Sequence, residues 1–233
     1  MSDLSDVQKE LNKLADPKRA KASVWYFKTG PGEYGEGDKF LGIAVPKCRK
    51  VALKFSDLDF SAIKTLLTSP YHEHRFVALE ILVIKYERGE VKEKRRVVDF
   101  YLINKKFINN WDLVDTSAPY ILGDYLLGRN KGVLYKLAKS KSIWDRRIAV
   151  ITTQGFIRQG QFEDILKIAE ILINDKHDLI QKAVGWMLRE VGSRSLSVEL
   201  KFLDRNYKKM PRTMLRYAIE KLPEKKRQFY LGK

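Results

Sequence analysis

The sequence predicts an all-α chain, and three observations carry that reading. Apolar residues recur at helical spacing through most of the 233 residues, and no run alternates apolar and polar residues long enough to require a strand. Glycine or proline marks breaks between the periodic segments. Similar helical segments also return at a nearly constant period.

Taken in order, Ser5-x-x-Gln8 predicts a capping box and a first helix to about Ala15. Pro17 suits the first turn of a second helix running through Ala22 and Tyr26. Residues 29–38, Thr29-Gly30-Pro31-Gly32-Glu33-Tyr34-Gly35-Glu36-Gly37-Asp38, hold four glycines and a proline and must be loop. Pro46 opens the next helix. From there helical segments run on to the C-terminus, with breaks near Ser69-Pro70, Glu87-Arg88-Gly89, Gly128, Gly160, Gly192 and Met210-Pro211.

Four segments begin with a basic residue and continue into a small or apolar run: Arg75-Phe76-Val77-Ala78, Arg147-Ile148-Ala149-Val150, Lys182-Ala183-Val184-Gly185 and Arg216-Tyr217-Ala218-Ile219. The steps between them are 72, 35 and 34 residues, so the first step holds two units and the missing one falls near Trp111-Asp112-Leu113-Val114-Asp115. Such a period predicts helix pairs stacked right-handedly into one α-solenoid of the HEAT or TPR kind. The expected organisation of 1–233 is a single domain: N-terminal helices in 1–28, the loop 29–38, repeats over about 46–221 and a short basic C-terminal tail. Same-phase residues of stacked repeats line a concave face, here a basic ladder of Arg75, Arg147, Lys182 and Arg216, a groove suited to a duplex backbone.

Charge supports that partner. The chain has 45 Lys or Arg against 29 Asp or Glu, a net charge of +16 spread along its whole length. A basic surface of this kind most often meets nucleic acid. With 44% apolar and 32% charged residues the chain is neither disordered nor membrane-embedded. The apolar stretch Phe76 to Ile84 is too short to span a bilayer, and the acidic N-terminus lacks signal-peptide character. The lone Cys48 excludes an internal disulfide and fits a reducing cytoplasm, the expected location.

No Walker loop or GxGxxG is present, and His72 and His74, two apart, do not point at one metal from a helix. No cofactor and no metal are therefore expected. Asp57, Asp59 and the carboxylates of Glu33 to Asp38 read as turn and loop. What remains is tryptophan with charge. Trp111 and Asp115 are four apart and share a helical face. Repeat registration makes Asp115, Arg147 and Lys182 near-equivalent, with Trp111 and Trp186 as walls. Each also has a plain reading: core filler for a Trp, Trp144 included, a helix-start carboxylate for Asp115, and a surface ion pair or phosphate clamp for Arg147.

The string Trp111-Asp112-Leu113-Val114-Asp115-x-x-x-Pro119-x-x-Leu122-Gly123-Asp124 resembles the signature of the AlkD-type DNA alkylation repair glycosylases. Phe40-Leu41-Gly42-Ile43-x-x-Pro46, Trp144-x-x-Arg147 and Gln181-Lys182-Ala183-Val184-Gly185-Trp186-x-Leu188-Arg189-Glu190 resemble it too, in family order, over roughly residues 17 to 221. The resemblance implies a HEAT-like solenoid that hydrolyses the N-glycosidic bond of N3- and N7-alkylated purines in duplex DNA. It places the catalytic Asp on Asp115, its partner Arg on Arg147, and aromatic walls on Trp111, Trp186 and Tyr26. The loop 29–38 is longer than the family's usual linker, which bears on the placement of Tyr26 and on lesion preference.

Ordinary glycoside hydrolysis takes two carboxylates, and Asp112 is rotated off the Asp115 face. A purine already cationic from alkylation leaves unprotonated, so one carboxylate beside an oxocarbenium sugar suffices. The expected activity is thus a base-excision DNA glycosylase acting as a monomer on duplex DNA. The alternatives are a non-catalytic HEAT scaffold binding nucleic acid or protein, and an RNA-binding helical repeat.

Overall fold

The computed structural model describes residues 3–232. Apart from one isolated β-bridge they form helices and turns, and they divide after Ser117 into two compact units.

The first unit opens with α1 (Leu4–Lys13) and α2 (Pro17–Tyr26). Asp3, rather than Ser5, caps α1. Its backbone is extended and its carboxylate accepts the Ser5 N–H at 3.3 Å, whereas Ser5 already lies inside the helix. Pro17 opens α2 as expected, behind an Asp16 cap that accepts the Lys18 and Arg19 N–H groups at 3.0 and 3.1 Å. None of the ten residues of α2 is buried, so the helix lies on the surface of the unit and needs contacts from a neighbouring segment to hold it.

The segment after α2 supplies that anchorage. Residues 29–38 form successive turns, in which Glu33 accepts the Gly30 N–H at 2.8 Å and Glu36 accepts the Gly32 N–H at 2.9 Å. Lys39 then bridges to Tyr71: its N–H donates to the Pro70 carbonyl at 2.9 Å and its carbonyl accepts from His72 at 2.8 Å. The Asp16 N–H reaches the Leu41 carbonyl at 2.8 Å. Gly42 comes next with φ +78°, and a Cβ there would strike the Asp16 carbonyl and stand 2.5 Å from the Ala20 nitrogen. The glycine is what allows residues 38–43, a strap across the start of α5, to touch α2.

Next come α3 (Val45–Lys54), α4 (Phe60–Leu67), α5 (His72–Arg88), α6 (Val91–Asn104) and the short α7 (Trp111–Asp115). Asp59, which the sequence places in a turn, caps α4. Central to the unit is α5, which packs against α3, α4, α6 and α7. It buries Phe76 to Leu79 and Ile81 to Val83, a helix apolar round most of its circumference, as a core position requires.

The second unit holds α8 (Ala118–Tyr125), α9 (Gly132–Ala138), α10 (Ile143–Arg158), α11 (Glu163–Ile171), α12 (Asp178–Gly192), α13 (Leu196–Asn206), α14 (Arg212–Ala218) and α15 (Glu224–Leu231). The pairs α9–α10, α11–α12 and α13–α14 succeed one another, and the second helix of each packs on the next, α10 on α12 and α12 on α14. The repeat read from sequence has a structural counterpart here: Arg147, Lys182 and Arg216 are each the fifth residue of their helix. The basic tail expected beyond residue 221 is a helix instead, started by Pro223 and anchored by buried Tyr230.

No helix among the described residues is long and apolar enough to cross a membrane.

Close packing of α8 on α10 runs through two glycines. A Cβ on Gly123 would stand 2.7 Å from the Thr152 carbonyl and 3.1 Å from the Gly155 Cα. Both backbones are therefore in contact, and an added methyl has nowhere to go. Gly123→Ala is expected to cost about 1–3 kcal/mol, the usual range for overpacking. Urea unfolding checks this, and an unchanged midpoint would contradict the contact.

Candidate functional site

The site is built on a polar run at the start of α5. His72, Glu73, His74 and Arg75 are only 3%, 5%, 6% and 4% exposed, although all four are polar or charged. Buried polar groups are tolerable only when partnered, and each of these has partners. Glu73 accepts the backbone N–H groups of Leu41, Gly42 and Ile43 at 2.9, 2.7 and 3.2 Å, which fixes the strap against α5. His74 Nδ1 meets Ser69 Oγ at 2.9 Å. Arg75 pairs with Asp38 at 2.6 Å and donates to the Ser69 carbonyl at 3.0 Å.

His72 joins two carboxylates. Its Nε2 lies 2.7 Å from Asp112 Oδ2 in a hydrogen bond, and its Nδ1 lies 3.5 Å from Asp38, at ion-pair rather than hydrogen-bond geometry. Burial works against the imidazolium, yet the charge and hydrogen bond of Asp112, aided by Asp38, outweigh it and raise the His72 pKa to about 9. Burial likewise opposes the Asp38 charge, but His72 and Arg75 overcome it and hold that carboxyl below its usual range.

This network sets α7 in place. Asn110, fully buried, caps α7 by accepting the Trp111 N–H at 2.8 Å, and its amide reaches Asp38 at 3.4 Å. Asp112 in the first turn is held by His72. Trp111 is thereby presented to an aromatic group centred on Phe27, whose ring stacks on Trp111 at 5.5 Å and on Phe40 at 5.1 Å and lies 4.7 Å from His72. Tyr26 meets Trp111 edge-on at 5.8 Å. These rings, with Arg19, Asp112 and Thr116, border an open cleft of about 760 Å³. Cys48 also lines it, but burial, with the nearby negative charges, pushes its thiol up to about 12, so it offers no thiolate.

Of the site residues expected from sequence, Trp111 and Tyr26 come together, despite the long loop that separates Tyr26 from the Phe40 motif. Asp115 is the last residue of α7 and half-buried. Arg147, on α10, is 5% exposed and donates to the Leu179 carbonyl at 2.7 Å, which pins its guanidinium to the start of α12. Lys182 pairs with Asp178 one turn away at 2.8 Å, Trp186 is half-buried on the same helix, and Arg216 is exposed on α14.

Arg75 departs from expectation. Repeat phase groups it with the ladder along the groove, but its guanidinium is taken up by the Asp38 carboxylate and the Ser69 carbonyl, so it braces residues 38–43 against α5. Sequence spacing also gives no site role to Asp38, His72, Asp112, Phe27 or Phe40. His72 is marked only by the His-Glu-His-Arg string at a helix start, and Asp112 and Phe40 only by the strings that resemble the family; their partners lie far away in the chain.

The raised His72 pKa makes the network pH-sensitive. The contribution is fully present below about pH 6.5, the ordinary histidine value, and is lost as pH rises through about 9. Buried Glu199 in the second unit, pushed up to about 8 by burial, weakens the fold separately as pH rises from 4.5 to 8. Between pH 8 and 9.5 the melting temperature of the wild type should therefore fall more steeply than that of His72→Gln. Parallel curves would mean that His72 is not held charged.

Residues 7–222 match the family model described as DNA alkylation repair enzyme. A solved structure described as "Predicted DNA alkylation repair enzyme from Enterococcus faecalis" superposes with a TM-score of 0.71 at 15% identity, over 90% of this chain and 97% of that one. At that identity the likeness speaks for the fold alone. No curated protein sequence matches. With the family model spanning nearly the whole chain, this protein belongs to the DNA alkylation repair enzyme family.

Proposed function

We propose that the chain is a DNA glycosylase of the AlkD type, with HEAT-like helix pairs, that releases cationic N3- and N7-alkylated purines from duplex DNA. The observation that carries this reading is α7, a five-residue helix fixed by a buried ion network, which holds the Trp111 face beside Tyr26 and carries Asp115 one turn on. Membership of the family and the +16 charge support DNA as the substrate.

In this mechanism the C1′–N bond breaks with its electron pair going to the purine. The purine loses its positive charge and leaves neutral, so no acid is needed. The positive charge passes to the sugar as an oxocarbenium ion. Asp115 stabilises that charge and accepts a hydrogen bond from a water, whose oxygen bonds to C1′ and whose proton passes to the carboxylate and then to solvent. The products are the free alkylated base and an abasic sugar. The faces of Trp111, Trp186 and Tyr26 favour the cationic lesion and sugar, by about 0.5–2 kcal/mol each. Arg147, already anchored, is a positioning group for the adjacent phosphate, and Lys182 and Arg216 contribute backbone contacts. His72 is no substitute for a general acid. It is 3% exposed, and its two ring nitrogens face Asp112 and Asp38.

Asp115→Asn keeps shape and removes the charge. On an alkylated duplex it should bind near normally and lose on the order of 10²–10³ in single-turnover base release. Release at the wild-type rate would remove Asp115 from the mechanism.

A further inference from the structure

The far end of the second unit carries a feature that the proposed chemistry does not use. Phe229 on α15 is 61% exposed, yet it is not a loose side chain. Its ring lies 6.0 Å from Tyr207 and 5.2 Å from Tyr230, and those two are 5.4 Å apart. Tyr230 is in turn pinned by its hydroxyl, which donates to Asp204 at 2.7 Å. The ring therefore stands at a fixed angle out of the surface.

On either side of it lies a recess. One, of about 440 Å³, is lined by Arg205, Tyr207, Lys208 and Lys209, and the other, of about 500 Å³, by Leu200, Pro223, Lys225 and Lys226. Phe229 and Asp204 border both. The five cations are all exposed, and the single carboxylate is engaged by the Tyr230 hydroxyl. A lone exposed phenylalanine needs no explanation. A braced ring between two cationic recesses has a specific chemistry, because the cations suit phosphates and the ring face suits a flat π-system.

A paired duplex keeps its bases stacked and would engage the cations alone. The exposed ring gains a partner only from a base that has left its stack. We propose that this ridge binds an unpaired stretch of DNA, with a base stacked on Phe229 and the flanking phosphates held by Lys208 and Lys209 on one side and Lys225 and Lys226 on the other. The site lies wholly in the second unit and does not depend on Asp115 or on base release.

The test compares two fluorescent oligonucleotides of about eight nucleotides, a run of thymidines and an abasic strand of the same length, titrated into the full chain by anisotropy. Stacking predicts about 5- to 20-fold tighter binding of the thymidine strand. That preference should vanish in Phe229→Ala and survive in Phe229→Trp, while Lys225→Ala with Lys226→Ala should weaken both strands alike. Thermal melting confirms that the variants are folded, and excision of an alkylated base from a short duplex should be unchanged in Phe229→Ala. Equal affinity for the two strands would overturn the proposal, as would a thymidine preference that persists in Phe229→Ala. An anionic partner of another class, an acidic peptide or lipid surface, would give the first of these results.

Discussion

Four consecutive polar side chains are buried at the start of α5, and the first unit takes a shape in which each of them meets at least one polar partner. The cost of stranding a single member is high, about 3–5 kcal/mol where a buried ion loses its partner. The partners come from the strap at Asp38 and Leu41 to Ile43, from Ser69 before the helix, and from Asp112 on α7. One requirement thus ties the glycine-rich segment, the central helix and the site-bearing helix together. The geometry of Trp111 is a consequence. α7 has five residues, too few to be stable alone, and its direction is imposed by the Asn110 and Asp112 contacts.

That constraint explains which parts of the molecule can be read from the chain. Helix boundaries arise from local chemistry: Pro17, Pro46, Gly160 and Pro211 fall at or beside them, and Gly128 lies in the turn between α8 and α9. The repeat is legible because Arg147, Lys182 and Arg216 open like segments of α10, α12 and α14, the second helices of three successive pairs. Arg75 heads a similar string, Arg-Phe-Val-Ala, but the neighbours of a residue along the chain do not determine the group its side chain faces. It faces Asp38, which sits in a loop that composition marks only as irregular. His72 and Asp112 are 40 residues apart, and no spacing rule links them. Read locally, His72 and His74 raise only the question of a metal, and among the described residues no cluster of three or more ligating side chains is placed to hold one. The first cap is ambiguous for a smaller reason: Asp3 and Ser5 are both good caps, and the extended backbone falls at Asp3.

Tyr26 shows the opposite case. The family resemblance marks it as a wall, and the long insertion after it leaves its position open. In the folded chain the insertion closes on itself through Glu33 and Glu36 and returns at Lys39 to α5, so that Phe27 and Phe40 stack and Tyr26 meets Trp111. Extra length in a loop that satisfies its own amides need not disturb the residues that flank it.

The chemical account rests on one asymmetry: a carboxylate with aromatic faces can stabilise a departing cation's sugar but cannot protonate a neutral leaving group. The most direct measurement is single-turnover base release from matched duplexes, each with one defined lesion. The account predicts release of 7-methylguanine and 3-methyladenine and none above background of uracil or hypoxanthine. Efficient release of either neutral base would contradict it, since that reaction requires an acid which this mechanism does not contain.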